Sequence, residues 1–397
     1  MKKRVLVVYP EMMVGGSTTA LLSFLNCIDK EKYEIDLQLY KNIGPLLNDI
    51  PEGINLLPEA FMYNGKLGSL FKKIKFVLTG TVIKARKENK KIGKDGYALQ
   101  AMSDFQAKHL SRKTTKRYDI AIGFLENWAD RYIAYQVVAD KKIGWMHSTF
   151  KNIASIPELE WEWMRKVDNV VFVADNCTED FKSEAPEFAD KAVTIRNIVD
   201  SDILKKRAEA KDVSDIEFKK FCKADCFKII TVCRVDINTK GLDRAVLCAK
   251  KLKENGTKFL WMIIGDGPDF EETKALIEQN GLAEEMVMIG SRLNPLPFVK
   301  EADLFCMLSR YEGKPMVITE SMIMGTPPFV TRYLSADEQI ENGVDGIVVD
   351  NGDDTAFEVL KDYIENPTEF EKIIETLNLR EYGNAEYMKE IEQEHLK

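Results

Sequence analysis

Short runs of β-branched and aromatic residues alternate with stretches of helical periodicity, and the pattern occurs twice along the chain. The first series is RVLVVYP (4–10), YEIDLQLY (33–40), YDIAIGF (118–124), KKIGWMH (141–147), NVVFVA (169–174) and AVTI (192–195). The second begins near Phe227 with FKIITVCRV, followed by FLWMIIG, MVMIG, ADLFCML, TPPFVT and GIVVD. Its helices are expected from near Gly241, Asp269, Pro315, Ser335 and Asp353. Strand–helix alternation of this kind gives a parallel sheet covered by helices on both faces. A chain of 397 residues is too long for one core. The expected fold class is therefore α/β, with two doubly wound, Rossmann-like domains facing a central cleft.

The first domain is expected over 1–200 and the second over 201–365. The remaining helices, 366–397, are expected to pack back toward the first domain. The hydrophilic segment KKRAEAKDVSDIEFKKFCKAD (205–225) reads as the passage between the two. A basic helical segment, 66–117, interrupts the first series.

Charge narrows the function classes. The total of −8 argues against a general nucleic-acid binder. Segment 66–117 holds fifteen Lys and Arg against three acids, Glu88, Asp95 and Asp104, which leaves +12 there and −20 elsewhere. Within it LFKKIKFVLTGTVIKARK (70–87) mixes apolar residues and cations at roughly helical spacing, which suits an anionic membrane surface as well as a solvated helix. The start, MKKRVLVVYPE, is not expected to act as a signal peptide, because Pro10 and Glu11 stop its apolar run. No run reaches the ~20 apolar residues of a membrane span. The seven cysteines are scattered. Cys222 and Cys226 form a CxxxC without a second pair, so reduced thiols in a cytoplasmic protein are expected rather than zinc.

Ligands of open α/β folds sit at the carboxyl ends of the strands. Four stretches there carry chemistry. In YEGKPMVITE (311–320), Glu312 lies in a loop and Glu320 inside the helix that follows; Pro315 fits the first helical turn. Backbone N–H groups after Gly313 favour an anion or a hydroxyl-rich ligand, and carboxylates accept from vicinal diols. Taken alone, the pair also fits a helix-start acid and a surface glutamate. In TVCRVDINTKG (231–241), Arg234 and Lys240 follow a strand, a fork and a point charge suited to a diphosphate, or two exposed cations. GDGP (265–268) reads as a tight turn. Gly15 and Gly16 allow close backbone approach to a ligand but do not make GxGxxG, so a dinucleotide reading fails. His147 ends a strand at the same edge; His109 and His395 have no such context. No GxSxG, HExxH or metal-binding Asp pair occurs, so no metal and no cofactor is assigned.

In this order, Gly15-Gly16, His147, CRVDINTKG, GDGP and EGKPMVITESMIMGTPP resemble the GT4 family of retaining glycosyltransferases, which has the GT-B fold. The resemblance covers nearly the whole chain and is tightest over 227–350. It implies a first domain that binds acceptor and a second that binds a nucleotide sugar. It implies that Arg234 and Lys240 hold the donor diphosphate, that Glu312 and the N–H groups after Gly313 hold the transferred sugar, and that Glu320 holds the ribose diol. His147 would line the sugar pocket, and the Gly15-Gly16 loop would approach donor and acceptor. Lys314 and Pro315 complete the donor-binding set; Lys314 stands where many members have an aromatic or aliphatic residue and would tune sugar choice. Ser321 and the doubled proline of Thr326-Pro327-Pro328 are further departures. Retention in this family is assigned to front-face attack, with no carboxylate nucleophile.

The expected activity is transfer of a hexose from a nucleotide sugar, UDP-linked, to a glycan or lipid-linked acceptor in cell-surface polysaccharide biosynthesis. The expected location is cytoplasmic, with peripheral association at the inner face of the plasma membrane through 66–117. A nucleotide-sugar epimerase of the same fold and a non-catalytic partner subunit remain as alternatives. CRVDINTKG with EGKPMVITE speaks against the first, and the intact set Arg234, Lys240, Glu312 and Glu320 against the second.

Overall fold

The computed structural model describes residues 2–62, 96–153, 157–210, 215–352 and 355–396. The chain divides into two compact units. One is Met1–Asn197 with Glu386–Lys397, and the other is Ile198–Ala385.

The first unit holds a seven-stranded parallel sheet. Its strands are β1 (Lys3–Tyr9), β2 (Tyr33–Leu39), β3 (Ile54–Leu56), β4 (Arg117–Gly123), β5 (Val138–Met146), β6 (Asn169–Phe172) and β7 (Ala192–Thr194), in the order β3-β2-β1-β4-β5-β6-β7. In β1, residues 5–8 are fully buried, which is why VLVV reads as one apolar run rather than an alternation. Strand β3 was not expected; at three residues it is too short to show a period.

Gly123 and Gly144 face each other in the β4–β5 register. A Cβ at Gly123 would lie 2.7 Å from the Asp130 Oδ1 atom, and one at Gly144 would lie 2.8 Å from the Trp163 ring and 3.1 Å from the same oxygen. The two glycines make room for a buried carboxyl from the helix Trp128–Gln136. Nearby, Arg131 and Glu160 are each 1% exposed and pair at 2.5 Å. Gln100 Nε2 and Trp163 Nε1 also donate to Glu160, at 2.5 and 2.6 Å. That network ties the helix Gly96–Phe105, the described end of the basic segment, to the first core.

The helix Tyr387–Glu394 closes this unit. Glu392 accepts the Asp29 N–H at 2.8 Å and the Lys32 ammonium at 2.9 Å. Lys141 Nζ donates to the His395 carbonyl at 2.8 Å. The expected grouping of 366–397 thus divides, since the helix Pro367–Leu379 belongs to the second unit.

The second unit holds a six-stranded parallel sheet. Its strands are β8 (Phe227–Val232), β9 (Phe259–Ile264), β10 (Met286–Met288), β11 (Leu304–Met307), β12 (Pro328–Thr331) and β13 (Ile347–Val349), in the order β10-β9-β8-β11-β12-β13. The segment 205–225 is not a passage between the units. Its helix Ile216–Lys223 begins on the Asp215 side chain, which accepts the N–H groups of Glu217 and Phe218 at 2.9 and 3.2 Å. It buries Phe218 and Phe221 in the second core, with Phe218 edge-on to Phe298 at 4.9 Å. Among the described residues no helix is long and apolar enough to cross a membrane.

Candidate active site

Each sheet reverses its strand order once, at β1/β4 in the first unit and at β8/β11 in the second. A crevice opens at such a switch point because the flanking connections leave for opposite faces. Gly15 and Gly16 follow β1, and Arg234, Lys240, Glu312 and Glu320 follow β8 or β11, at these two places; His147 follows β5, one strand beyond β4.

In the second unit, the loop after β8 is locked to those after β9 and β11 by backbone contacts that only glycine permits. A Cβ at Gly265 would lie 1.8 Å from the Cys233 carbonyl, and one at Gly267 would lie 2.2 Å from the Val235 carbonyl. The GDGP turn is therefore a brace under the Arg234 loop, as its sequence suggests. Gly241 has φ +64, and a Cβ there would lie 2.0 Å from the Leu308 carbonyl. Arg310 completes the lock. It forks onto Asp243 at 2.8 and 2.7 Å and donates to the Ile237 carbonyl at 3.1 Å.

This framing brings Lys240 to Glu312. The Lys240 Nζ lies 2.7 Å from Glu312 Oε1, and the same oxygen accepts from Ser309 Oγ at 2.7 Å. Burial alone would lower the Lys240 pKa; the Glu312 carboxylate overrides it, and the ammonium sits above the ordinary lysine value. Arg234 is exposed and has no hydrogen-bond or ion-pair partner among the described residues. Between them Cys233 is inert, its thiol pushed up to about 12 by burial.

Pro315 is the N-cap of the helix Met316–Ile323 rather than its first residue. The preceding peptides are oriented from behind. Ser335 Oγ donates to the Gly313 carbonyl, and Gln339 Nε2 donates to the Pro315 carbonyl at 3.0 Å. A trans peptide points its N–H opposite its C=O. The N–H groups of Lys314 and Met316 are thereby turned away from Ser335 and Gln339. Among the described residues no backbone acceptor meets the N–H of Met316 or Val317, which are orphan donors of the kind a helix start offers an anion. Lys314 is partly exposed beside them.

Glu320 is 8% exposed, and no hydrogen bond reaches its carboxylate among the described residues. Burial raises its pKa to about 7, with Arg207 opposing. A desolvated carboxylate without donors is suited to a ligand that brings its own hydroxyls.

In the first unit, Gly15 and Gly16 follow β1, and Gly16 opens the helix Gly16–Cys27. Gly15 has extended backbone, φ 169, and a Cβ there would meet nothing within 4 Å among the described residues. Among the described residues nothing in the fold requires glycine at 15. His147 follows β5 and is held on three sides. Its N–H donates to Glu126 Oε2 at 3.0 Å, its Nε2 lies 3.2 Å from the Phe124 carbonyl, and its ring lies 5.3 Å from the Phe124 ring. The Nε2 contact makes that nitrogen the donor and leaves Nδ1 as an acceptor. Burial lowers the ring pKa to about 4. Asn127, between Glu126 and the helix Trp128–Gln136, has φ 75, the sole positive φ outside glycine among the described residues. Such strain persists where the surroundings over-determine it.

Sequence reasoning missed Ser309, Arg310, Ser335 and Gln339 in the second unit, and Glu126 and Asp130 in the first. Among the described residues no group of three His, Cys, Asp or Glu side chains is placed to hold a metal ion.

Residues 213–380 match the family model for glycosyl transferases group 1. That match lies within the second unit. The N-acetyl-alpha-D-glucosaminyl L-malate synthase of Bacillus anthracis is 30% identical over 119 residues, which is 29% of this chain and 31% of that protein. The lipopolysaccharide core biosynthesis glycosyltransferase LpsD of Rhizobium meliloti is 27% identical over 131 residues, 33% of this chain and 37% of that protein. The chain thus spans about a third of the length of these curated relatives. The crystal structure of HepE from Anabaena in complex with UDP-glucose is similar over 99% of both chains, with a TM-score of 0.70 at 14% identity. At that identity the likeness concerns the fold, and the fold is GT-B.

Proposed function

We propose that this chain is a retaining glycosyltransferase. It moves a hexose from a nucleotide sugar to a glycan or lipid-linked acceptor in cell-surface polysaccharide biosynthesis. The observation that carries the reading is the meeting of Lys240 and Glu312 at the second switch point, beside the orphan N–H groups of Met316 and Val317. UDP is the first nucleotide to test, because HepE has been crystallised with UDP-glucose.

On this reading Arg234 and Lys240 take the diphosphate, together with the helix start at Met316. Glu312 accepts from the sugar hydroxyls, and Glu320 accepts from the ribose diol. In the first unit, Nδ1 of His147 accepts from a substrate hydroxyl, and the bare Gly15-Gly16 loop lets substrate come close. The bond between the anomeric carbon and the phosphate oxygen breaks. The acceptor hydroxyl adds on the same face and passes its proton to the departing phosphate. Negative charge grows on the diphosphate, and fixed cations and N–H dipoles there stabilise it. These cations take the part a divalent metal plays elsewhere, so the reading needs no metal and no cofactor.

Location in the cytoplasm, with association to an anionic membrane surface through 66–117, belongs to the same reading. Its support is composition, since residues 63–95 lie outside the described residues. Sedimentation with liposomes, with and without anionic lipid, tests it; no binding to either removes it.

Calorimetric titration with UDP, GDP, ADP and CMP tests the donor site. One nucleotide is expected to bind, more weakly to Glu320→Ala. Arg234→Ala or Lys240→Ala is expected to lower turnover ~10²-fold, about 3 kcal/mol of transition-state stabilisation. Near-normal turnover in both variants overturns the reading.

A further inference from the structure

The cation proposed for the diphosphate is held by the carboxylate proposed for the sugar. Lys240 and Glu312 side chains are 20% and 9% exposed, so their 2.7 Å pair is largely out of water. Ser309 Oγ donates to the same Glu312 oxygen, and its own carbonyl is held by Thr331 Oγ1 at 2.6 Å, which fixes the carboxylate in place. Lys240 ends a short helix braced by Gly241 and Arg310, so the flexible lysine stem is the movable partner.

We infer that this pair makes the site select diphosphates that carry a sugar over bare nucleoside diphosphates, and so helps expel the spent nucleotide. The inference rests on the proposed donor site. A bare diphosphate that draws Lys240 away leaves Glu312 desolvated, short of one donor, and close to a polyanion. A donor with its sugar supplies hydroxyls to Glu312 as Lys240 leaves, so the carboxylate stays satisfied. The sugar and diphosphate halves thereby bind cooperatively through one side-chain exchange. When the sugar has been transferred, its hydroxyls leave Glu312 and the carboxylate recaptures Lys240, loosening the diphosphate.

The test is titration of UDP, GDP and ADP, with UDP-glucose as the sugar-bearing probe, against wild type, Glu312→Gln, Lys240→Met and the double variant. Glutamine keeps the shape and an acceptor for Ser309 but cannot hold the ammonium as an ion pair. A charge-assisted hydrogen bond of this kind is worth enough to shift Kd by about tenfold. Glu312→Gln is therefore expected to bind the bare diphosphate about tenfold tighter and the nucleotide sugar more weakly. In the Lys240→Met background the gain is expected to vanish, which separates release of Lys240 from simple removal of a negative charge. A diphosphate affinity unchanged or weakened in Glu312→Gln overturns the inference while leaving the donor site standing, as does an equal gain in the Lys240→Met background. No binding of any nucleotide to any of the four proteins overturns the donor site, and the inference with it.

Discussion

The Glu126 carboxylate accepts the backbone N–H of His147 at 3.0 Å, beyond the last β4–β5 pair of Gly123 with Gly144. Two residues earlier, Asp130 Oδ1 accepts the N–H of Trp145 at 3.0 Å. Two side chains thus replace the acceptors that β4 would have offered, and β5 runs straight to His147. The ring is held neutral by burial, with a pKa of about 4 against 6.5 in an unfolded chain. A lowered histidine pKa contributes stability that is present above 6.5 and is lost as pH falls toward 4, up to about 3 kcal/mol. In an NMR titration the His147 ring signals are expected to stay constant above pH ~5. A midpoint above 6 would contradict the geometry.

Glu320 behaves in the opposite sense. Its pKa near 7 exceeds the unfolded value, so the folded protein holds a proton that the unfolded chain releases. Stability is therefore greatest below the unfolded carboxyl pKa and declines as pH rises to 7. Glu320→Gln is expected to be more stable than wild type at pH 8, by about 3 kcal/mol, with the difference shrinking toward pH 4. Urea unfolding at the two pH values measures it. Hydroxyl donors favour the ionised form, so nucleotide affinity is expected to weaken below pH 7 in wild type and to lose that dependence in Glu320→Gln.

Gly15 is a position where the proposed function can be tested apart from the fold. Among the described residues nothing opposes a methyl group there, and the backbone is extended. Gly15→Ala is expected to leave the melting temperature unchanged while lowering transferase activity. Gly123→Ala is expected to do the reverse of the first part. Its methyl would meet Asp130 at 2.7 Å and the Ala129 backbone at 2.9 Å, a strain of about 2 kcal/mol that lowers the melting temperature.

Ser335 acts at a distance of 22 residues in sequence, through the Gly313 carbonyl. Ser335→Ala is expected to cost about 1 kcal/mol of stability, from an unpaired buried carbonyl. It is also expected to raise the KM for the nucleotide sugar more than it lowers kcat. An unchanged KM would show that the peptide holds its orientation without the serine.

The strands other than β3 were legible because buried parallel strands are apolar throughout, and because glycine, proline and Asp mark the turns between them. Arg234, Lys240, Glu312 and Glu320 stood out because they follow apolar strands at the edge where ligands of open α/β folds bind. The helix Ile216–Lys223 was not legible. Its apolar side is only Phe218 and Phe221 among lysines, and its Ile216 is 65% exposed. Ser335 and Gln339 were equally silent. They act by holding backbone carbonyls, and a carbonyl leaves no mark on the residue that bears it. Asp130 had one faint signal, the glycines at the ends of YDIAIG and KKIG, where strands seldom spend them.

The closing helix Tyr387–Glu394 gives the chain a parenthetical grammar. The first unit opens at the amino terminus, is interrupted by the whole of the second, and is completed only by Glu386–Lys397. The second unit is joined to the first by two crossings of the chain, one after Asn197 and one after Ala385. A label attached at Lys397 therefore reports on the first unit. A truncation that looks like trimming the end of the second unit instead removes Glu392 from Asp29 and Lys32, and leaves the first unit unfinished.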